Sequence, residues 1–115
     1  MTRGDILVID FPFPEGRLGH EQAGHKPSVV VQTDVTNANL PTTMVVPMTS
    51  NLAATRFPHT IYIDPSPQNG LSQPSVLLVF QLRAIDKGRL GNKIGHLEQE
   101  YLLQLEAEIR HLLDL

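Results

Sequence analysis

Two histidines, a carboxylate, an amide and an ammonium group lie within one glycine-bounded stretch, Gly19-His20-Glu21-Gln22-Ala23-Gly24-His25-Lys26-Pro27. Histidine and glutamate can take up a proton, and lysine is a cation that can also surrender one. A second polar group, Thr49-Ser50, ends an apolar run and offers two hydroxyls. These residue types suffice to cleave a phosphodiester by its own 2′-hydroxyl without a metal. The reaction needs a base for the hydroxyl proton, a cation for the charge building on the phosphate, and an acid for the leaving 5′-oxygen. His20 or Glu21 fits the base, Lys26 the cation or the acid, and Thr49 with Ser50 the hydrogen bonds to phosphate. The inventory alone is unspecific. An ordinary polar hairpin loop carries the same residue types, and hydroxyls at a strand end commonly cap a turn.

Other chemistries fit less well. The chain has no cysteine, which excludes thiol catalysis, disulfides and cysteine-based zinc sites. His20 and His25 match no ordinary zinc spacing, and His59, His96 and His111 are scattered. No phosphate-loop or dinucleotide glycine pattern occurs, and no nucleophile elbow surrounds Thr49 or Ser50. No metal or cofactor is expected.

The elements that must hold these residues can be read in order. Ile6-Leu7-Val8-Ile9 is a first strand, which the prolines at 12 and 14 end or confine to an edge. Glu15 to Pro27 reads as a long loop, a length usual for functional or mobile segments. Pro27 biases Lys26 towards an extended backbone, at the entrance to the β-branched strand Ser28 to Gln32. Asp34 to Pro41 is a loop or short helical turn. Thr43 to Met48 is a third strand, with Pro47 marking a strand end or a bulge. Thr60 to Ile63 follows, then turn chemistry over Asp64 to Gly70 with Asn-Gly at its end. Ser75 to Leu82 is the most apolar strand and is expected to be central. Arg83 to Gly95 carries a cluster of cations: Arg83, Lys87, Arg89 and Lys93. From Leu97 the period changes. Leu97, Tyr101, Leu102, Leu105, Ile109, Leu112 and Leu113 fall at helical spacing, with glutamates on the polar side. About five strands and one C-terminal helix predict a small, strongly bent sheet or partly open barrel.

The 115 residues make one domain, 1–115, long enough to bury a core without staples. Charged residues at 18% and hydrophobic ones at 41% describe a folded chain rather than a disordered one. No apolar run approaches a membrane span, and Met1-Thr2-Arg3-Gly4-Asp5 lacks a signal-peptide layout, so a soluble cytoplasmic protein is expected. The net charge of −3 lacks the basic footprint of a general nucleic-acid coater. Any such contact has to be local.

The ordered motifs resemble the MazF/PemK/Kid family of toxin endoribonucleases. Arg3-Gly4-Asp5-Ile6 opens the series, followed by Gly19 to Pro27 with its strand, Asn37, and Val45-Val46-Pro47-Met48-Thr49-Ser50. Gly70-Leu71, Ser75-Val76 and Gln81-Leu82-Arg83-Ala84-Ile85-Asp86-Lys87-Gly88-Arg89-Leu90 complete it, so the resemblance spans nearly the whole chain. It implies an SH3-like small barrel, mainly β with a C-terminal helix, working as a homodimer. It also implies metal-independent cleavage of single-stranded RNA, chiefly mRNA, at short sequences through a 2′,3′-cyclic phosphate, and no membrane. A MazE-like cognate antitoxin would bind with a flexible acidic C-terminal segment and block the RNA groove.

The resemblance carries catalysis to Lys26 and Thr49, with His20 and Glu21 beside them. It places Gln22, His25, Ser50, Phe80, Gln81 and Arg83 at the RNA. Two positions depart from the pattern. Lys26 stands where the family usually has arginine, keeping the charge without the planar fork. Lysine as a class gives up its proton more readily than arginine. Phe80 stands where many members have an acidic residue, and could fill the groove or stack on a base. Two alternatives are carried: a non-catalytic protein-binding toxin of the same fold, resembling the gyrase poison CcdB, and an RNA-binding relative whose nuclease activity went with the arginine.

Overall fold

A computed structural model of the chain describes residues 1–11 and 24–115, with the backbone alone for Gly24 and His25. The strands are β1 (Asp5–Phe11), β2 (Gly24–Val30), β3 (Thr42–Thr49), β4 (Thr60–Ile63), β5 (Ser75–Leu78), β6 (Arg83–Asp86) and β7 (Leu90–His96). A short helix α1 (Asp34–Asn39) joins β2 to β3, and α2 (Gln99–Leu113) ends the chain. The seven strands form one sheet in the order β4-β5-β3-β2-β1-β7, with β6 paired to β3 off that path. Every pairing is antiparallel. The fold is thus mainly β with a C-terminal helix, as the sequence implies.

Both faces of the central strands are covered, which is why their sequences are apolar runs and do not alternate. Ile6, Val29, Val46, Met48, Ile63 and Leu77 point into one cluster, closed by Leu102 and Leu105 of α2. Leu7, Ile9, Phe11, Val30, Val45 and Ile85 form a second cluster on the other face. Each fully buried aliphatic side chain contributes about 1.5–3 kcal/mol relative to exposure.

Four details differ from the sequence reading. β2 begins at Gly24, so Lys26 and Pro27 lie within a strand, opposite Ile9 and Val8 of β1, and not in a loop. Pro27 is the fourth of the seven residues of β2 and precedes the pairing with β3, which begins at Ser28↔Pro47. Pro47 neither ends nor breaks β3. β3 pairs with β6 over residues 42–45 and with β5 over 48–49, so Pro47 falls where that edge changes partner and no N–H is required. The run from Ser75 is a strand only to Leu78, after which Val79–Gln81 turns as a 3-10 segment. The cationic stretch contains two further strands, β6 and β7, that its composition does not signal.

The sheet curls until its ends approach. Gln68 O, in the turn after β4, accepts the His96 amide of β7 at 2.9 Å. A Cβ on Gly70 would lie 1.8 Å from Ile94 O, and φ there is +71°, so glycine is required at this seam. The arrangement is a partly open barrel. No helix among the described residues is long and apolar enough to cross a membrane.

Candidate active site

A cavity of about 410 Å³ opens beside the first half of β2 and the end of β3, against the loop that leads into β5. Lys26, Thr49, Ser50, Ser72, Gln73 and Ile94 are among its lining residues. Register explains how Lys26 and Thr49 meet. Ser28 faces Pro47 across β2 and β3, and continuing that pairing two residues brings Lys26 beside Thr49. Thr49 Oγ1 accepts the Asn51 amide at 3.1 Å, which leaves its own proton free to be donated. Asn51 in turn caps the next turn, its Oδ1 accepting the Ala53 amide at 3.1 Å. The hydroxyl therefore sits on a locally fixed backbone, at the end of a strand with a buried apolar run.

The opposite wall, Gly70 to Gln73, is held by Asn69, which is fully buried. Asn69 Oδ1 accepts the amides of Ser66 and Leu71, each at 3.0 Å. Its Nδ2 donates to Asp64 O at 2.8 Å and to Glu98 Oε2 at 3.4 Å. One amide thus satisfies a turn whose backbone groups would otherwise be orphaned. Ser75 Oγ donates to Gln73 O at 3.1 Å, tying the far end of the wall to β5.

The remaining expected site residues are placed as follows. His20, Glu21 and Gln22 lie outside the described residues, as does the side chain of His25. Phe80, Gln81 and Arg83 do not line this cavity. The Phe80 ring packs on Phe57 with centroids 5.4 Å apart, a use of the aromatic ring that composition does not signal. Arg83 lies opposite Val45 on β3, and its guanidinium covers the Phe11 ring at 5.1 Å. Thr49 lies four residues on from Val45, about 13 Å along the strand. Sequence reasoning missed Asn69, Ser72 and Gln73. Asn-Gly reads as turn chemistry, which is what Asn69 performs, and no motif marks Ser72 or Gln73.

The scattered histidines have carboxylate partners. His59 Nδ1 lies 3.1 Å from Glu108 Oε1, and His111 Nδ1 lies 3.6 Å from the same oxygen. His96 Nδ1 lies 3.0 Å, and Lys93 Nζ 3.2 Å, from Asp5 Oδ1. Burial alone would raise the Asp5 carboxyl, but the bonds from His96, the Thr2 amide and Lys93 outweigh it and hold the value at about 2. Among the described residues no three histidine, aspartate or glutamate side chains converge as a metal site. Among the described residues the cavity presents one cation, Lys26, and several hydroxyl and amide groups, suited to an anion.

A family profile described as "PemK-like, MazF-like toxin of type II toxin-antitoxin system" matches residues 2–113. The chain is similar to Endoribonuclease EndoA of Bacillus subtilis, 34% identical over 110 residues that cover 96% of this chain and 91% of that protein. It is likewise similar to Endoribonuclease MazF of Staphylococcus saprophyticus, at 31% over 109 residues, covering 95% and 88%. In fold it resembles crystalline MazF of Deinococcus radiodurans, with a TM-score of 0.82 at 22% identity over 100% of this chain and 97% of the other. It also resembles a mycobacterial endoribonuclease solved in complex with its cognate antitoxin, with a TM-score of 0.76 at 19% identity, covering 100% and 96%.

Proposed function

The chain belongs to the PemK-like, MazF-like toxins of type II toxin–antitoxin systems, and we propose that it works as an endoribonuclease, cutting single-stranded RNA, chiefly mRNA, at short sequences without metal. The observation that carries the reading is the cavity joining Lys26 to Thr49 and Ser50 across the ends of β2 and β3. The RNA 2′-hydroxyl loses its proton to a base, His20 or Glu21, and its oxygen attacks the adjacent phosphorus. A 2′,3′-cyclic phosphate forms as the bond to the 5′-oxygen breaks, and the departing oxygen takes a proton. Lys26 faces the charge that builds on the phosphoryl oxygens and is the candidate proton donor. The Thr49 hydroxyl, one lone pair occupied by the Asn51 amide, donates to a non-bridging oxygen. Single strands suit this chemistry, because the 2′-hydroxyl and splayed bases are accessible.

The reading extends to the assembly. The toxin acts in the cytoplasm as a homodimer, and a cognate MazE-like antitoxin with a flexible acidic segment occupies the RNA groove. Relatives bearing the name endoribonuclease favour the nuclease over a gyrase poison of the same fold.

The test is incubation of antitoxin-free protein with long single-stranded RNA in EDTA, beside Lys26→Ala and Lys26→Arg. The parent is expected to leave cyclic phosphate and 5′-hydroxyl ends, and Lys26→Ala to leave the RNA intact. A parent that cuts no RNA, or an alanine variant that cuts as well as the parent, overturns the proposal. Cleavage by the arginine variant alone would identify the natural chain as an RNA binder with an idle site.

A further inference from the structure

Ser28 is the polar exception at the head of the run Ser28-Val29-Val30-Val31, and it is fully buried. Its Oγ meets no hydrogen-bond partner among the described residues. A buried hydroxyl left unpaired costs stability that an alanine or a valine would spare. A serine at this position therefore needs a reason outside packing.

The register shows which groups can reach it. Ser28 lies opposite Leu7 of β1 and opposite Pro47 of β3. Neither side chain carries a polar atom, and Pro47 has no N–H to offer. Leu7, Ile9, Val30 and Val45, on the same face by alternation, belong to the second apolar cluster. Three polar side chains share that face within two residues or one diagonal of Ser28: Asp5, Thr49 and Lys26. Asp5 is already engaged. Its Oδ2 accepts the Thr2 amide at 2.8 Å, and its Oδ1 lies 3.0 Å from His96 Nδ1 and 3.2 Å from Lys93 Nζ. Thr49 Oγ1 accepts the Asn51 amide and has one proton to give, which the proposed reaction assigns to the phosphate. Lys26 remains, with three donors on one ammonium. It stands two residues from Ser28, about 6.6 Å along the strand, a distance that its four-carbon stem spans.

We infer that Ser28 is a positioning residue for Lys26: with RNA bound, its hydroxyl holds one of the ammonium's three donors and turns the other two towards the phosphate. The inference rests on the nuclease reading above. An ammonium is a point charge with rotatable donors, and a fixed acceptor at its side supplies the direction it lacks. The hydroxyl suits both states of the lysine. It accepts from the ammonium, and once Lys26 has given a proton to the departing 5′-oxygen, it turns and donates to the amine. Ser28 itself gains and loses no proton over the cycle.

The test compares the parent with Ser28→Ala, Ser28→Thr and Ser28→Val on an RNA that the parent cuts in EDTA. Threonine and valine have the same shape, so a packing defect is common to both and only the hydroxyl differs. Ser28→Ala and Ser28→Val are expected to lower kcat about tenfold at an unchanged KM, the effect of one lost bond to a charged group. Ser28→Thr should cut faster than Ser28→Val by about the same factor. Tm of Ser28→Ala should match or exceed that of the parent, because an unpaired buried hydroxyl is removed. In complex with the same RNA made uncleavable by a single 2′-deoxy nucleotide at the cut, the Lys26 ammonium protons, followed by NMR, should exchange with water faster in Ser28→Ala than in the parent. A parent that cuts no RNA removes the nuclease reading and this role with it. A parent that cuts, with a Ser28→Ala variant of equal kcat, removes the role of Ser28 alone. Equal rates for Ser28→Thr and Ser28→Val, or ammonium exchange that Ser28→Ala leaves unchanged, overturn the positioning role in favour of packing.

Discussion

Asn69→Ala is the sharpest perturbation of the site that avoids the reacting groups. The side chain is fully buried and bonds to three backbone groups: the amides of Ser66 and Leu71 at 3.0 Å each and Asp64 O at 2.8 Å. Truncation removes these three partners from a turn with little room for water. At about 1 kcal/mol for each, the loss is about 3 kcal/mol. For a chain of this size that lowers Tm by about 12 °C, taking ~4 °C per kcal/mol. The second effect is local. Leu71 loses its anchor, so the wall from Gly70 to Gln73 shifts against Lys26 and Thr49, and KM for RNA rises at temperatures where the variant is fully folded. Asn69→Asp separates donor from acceptor roles. It keeps both acceptor bonds but puts an oxygen where Nδ2 lies 3.4 Å from Glu98 Oε2. Two carboxylates that close disfavour the doubly charged state, which raises a folded-state pKa. The Asp variant should therefore be destabilised at neutral pH and recover as pH falls and one group takes up a proton. Thermal unfolding by circular dichroism and cleavage kinetics read the two effects. An Asn69→Ala protein with Tm within ~2 °C of the parent and an unchanged KM would refute the reasoning, since the cited bonds would then contribute almost nothing.

Two further outcomes follow from single residues. Asp5, whose folded value of about 2 lies below the ordinary 3.8, contributes stability that is present above pH 3.8 and lost as pH falls through about 2. The loss over that window is about 2 kcal/mol; urea unfolding against pH should show it in the parent and not in Asp5→Asn, and identical pH profiles would contradict the assignment. Thr49→Ala removes a hydroxyl whose structural duty is one exposed turn bond to Asn51. Stability should change by less than about 1 kcal/mol while kcat falls about a hundredfold, and equal single-turnover rates for variant and parent would take Thr49 out of the mechanism.

The elements legible in the sequence were those whose burial follows a period. Leu102 and Leu105 of α2 are buried at helical spacing, and Val29 and Val30 sit in a continuous β-branched run. β7 was illegible because its pairing needs glycine. A Cβ on Gly95 would lie 2.2 Å from Asn69 O and one on Gly91 2.6 Å from Val8 O, so the strand is specified by close approach and not by β propensity. The run past Leu78 misled for the opposite reason. Val79 is fully buried in a 3-10 turn, its amide donating to His59 O, and apolar burial alone does not separate a turn from a strand. Lys26 and Thr49 could be singled out because each adjoins an apolar strand run. Asn69 could not, since a buried amide satisfying a turn and a solvent-exposed Asn-Gly turn have the same sequence.

Several motif residues that carry the family resemblance turn out to hold the frame rather than the ligand. Arg3 donates to Val31 O at 3.0 Å and pairs with Glu106 of α2 at 2.9 Å. Asn37, the buried residue of α1, accepts from Gln32 at 2.9 Å and Thr43 at 2.7 Å, and its backbone carbonyl takes the Lys87 ammonium. These bonds fix the start of β1, the start of β3 and the end of β6, leaving the opposite end of β3 to carry Thr49 and Ser50. That division bears on Lys26. An arginine there would bring a planar fork, whereas lysine brings a point charge with three rotatable donors. The cavity around it supplies the missing directionality through groups the frame already fixes. Thr49 is oriented by Asn51, and Ser72 and Gln73 stand on a wall locked by Asn69 and Ser75. In the proposed reaction a phosphate in this site takes charge from residue 26 and geometry from its neighbours, and lysine supplies the part that the neighbours lack.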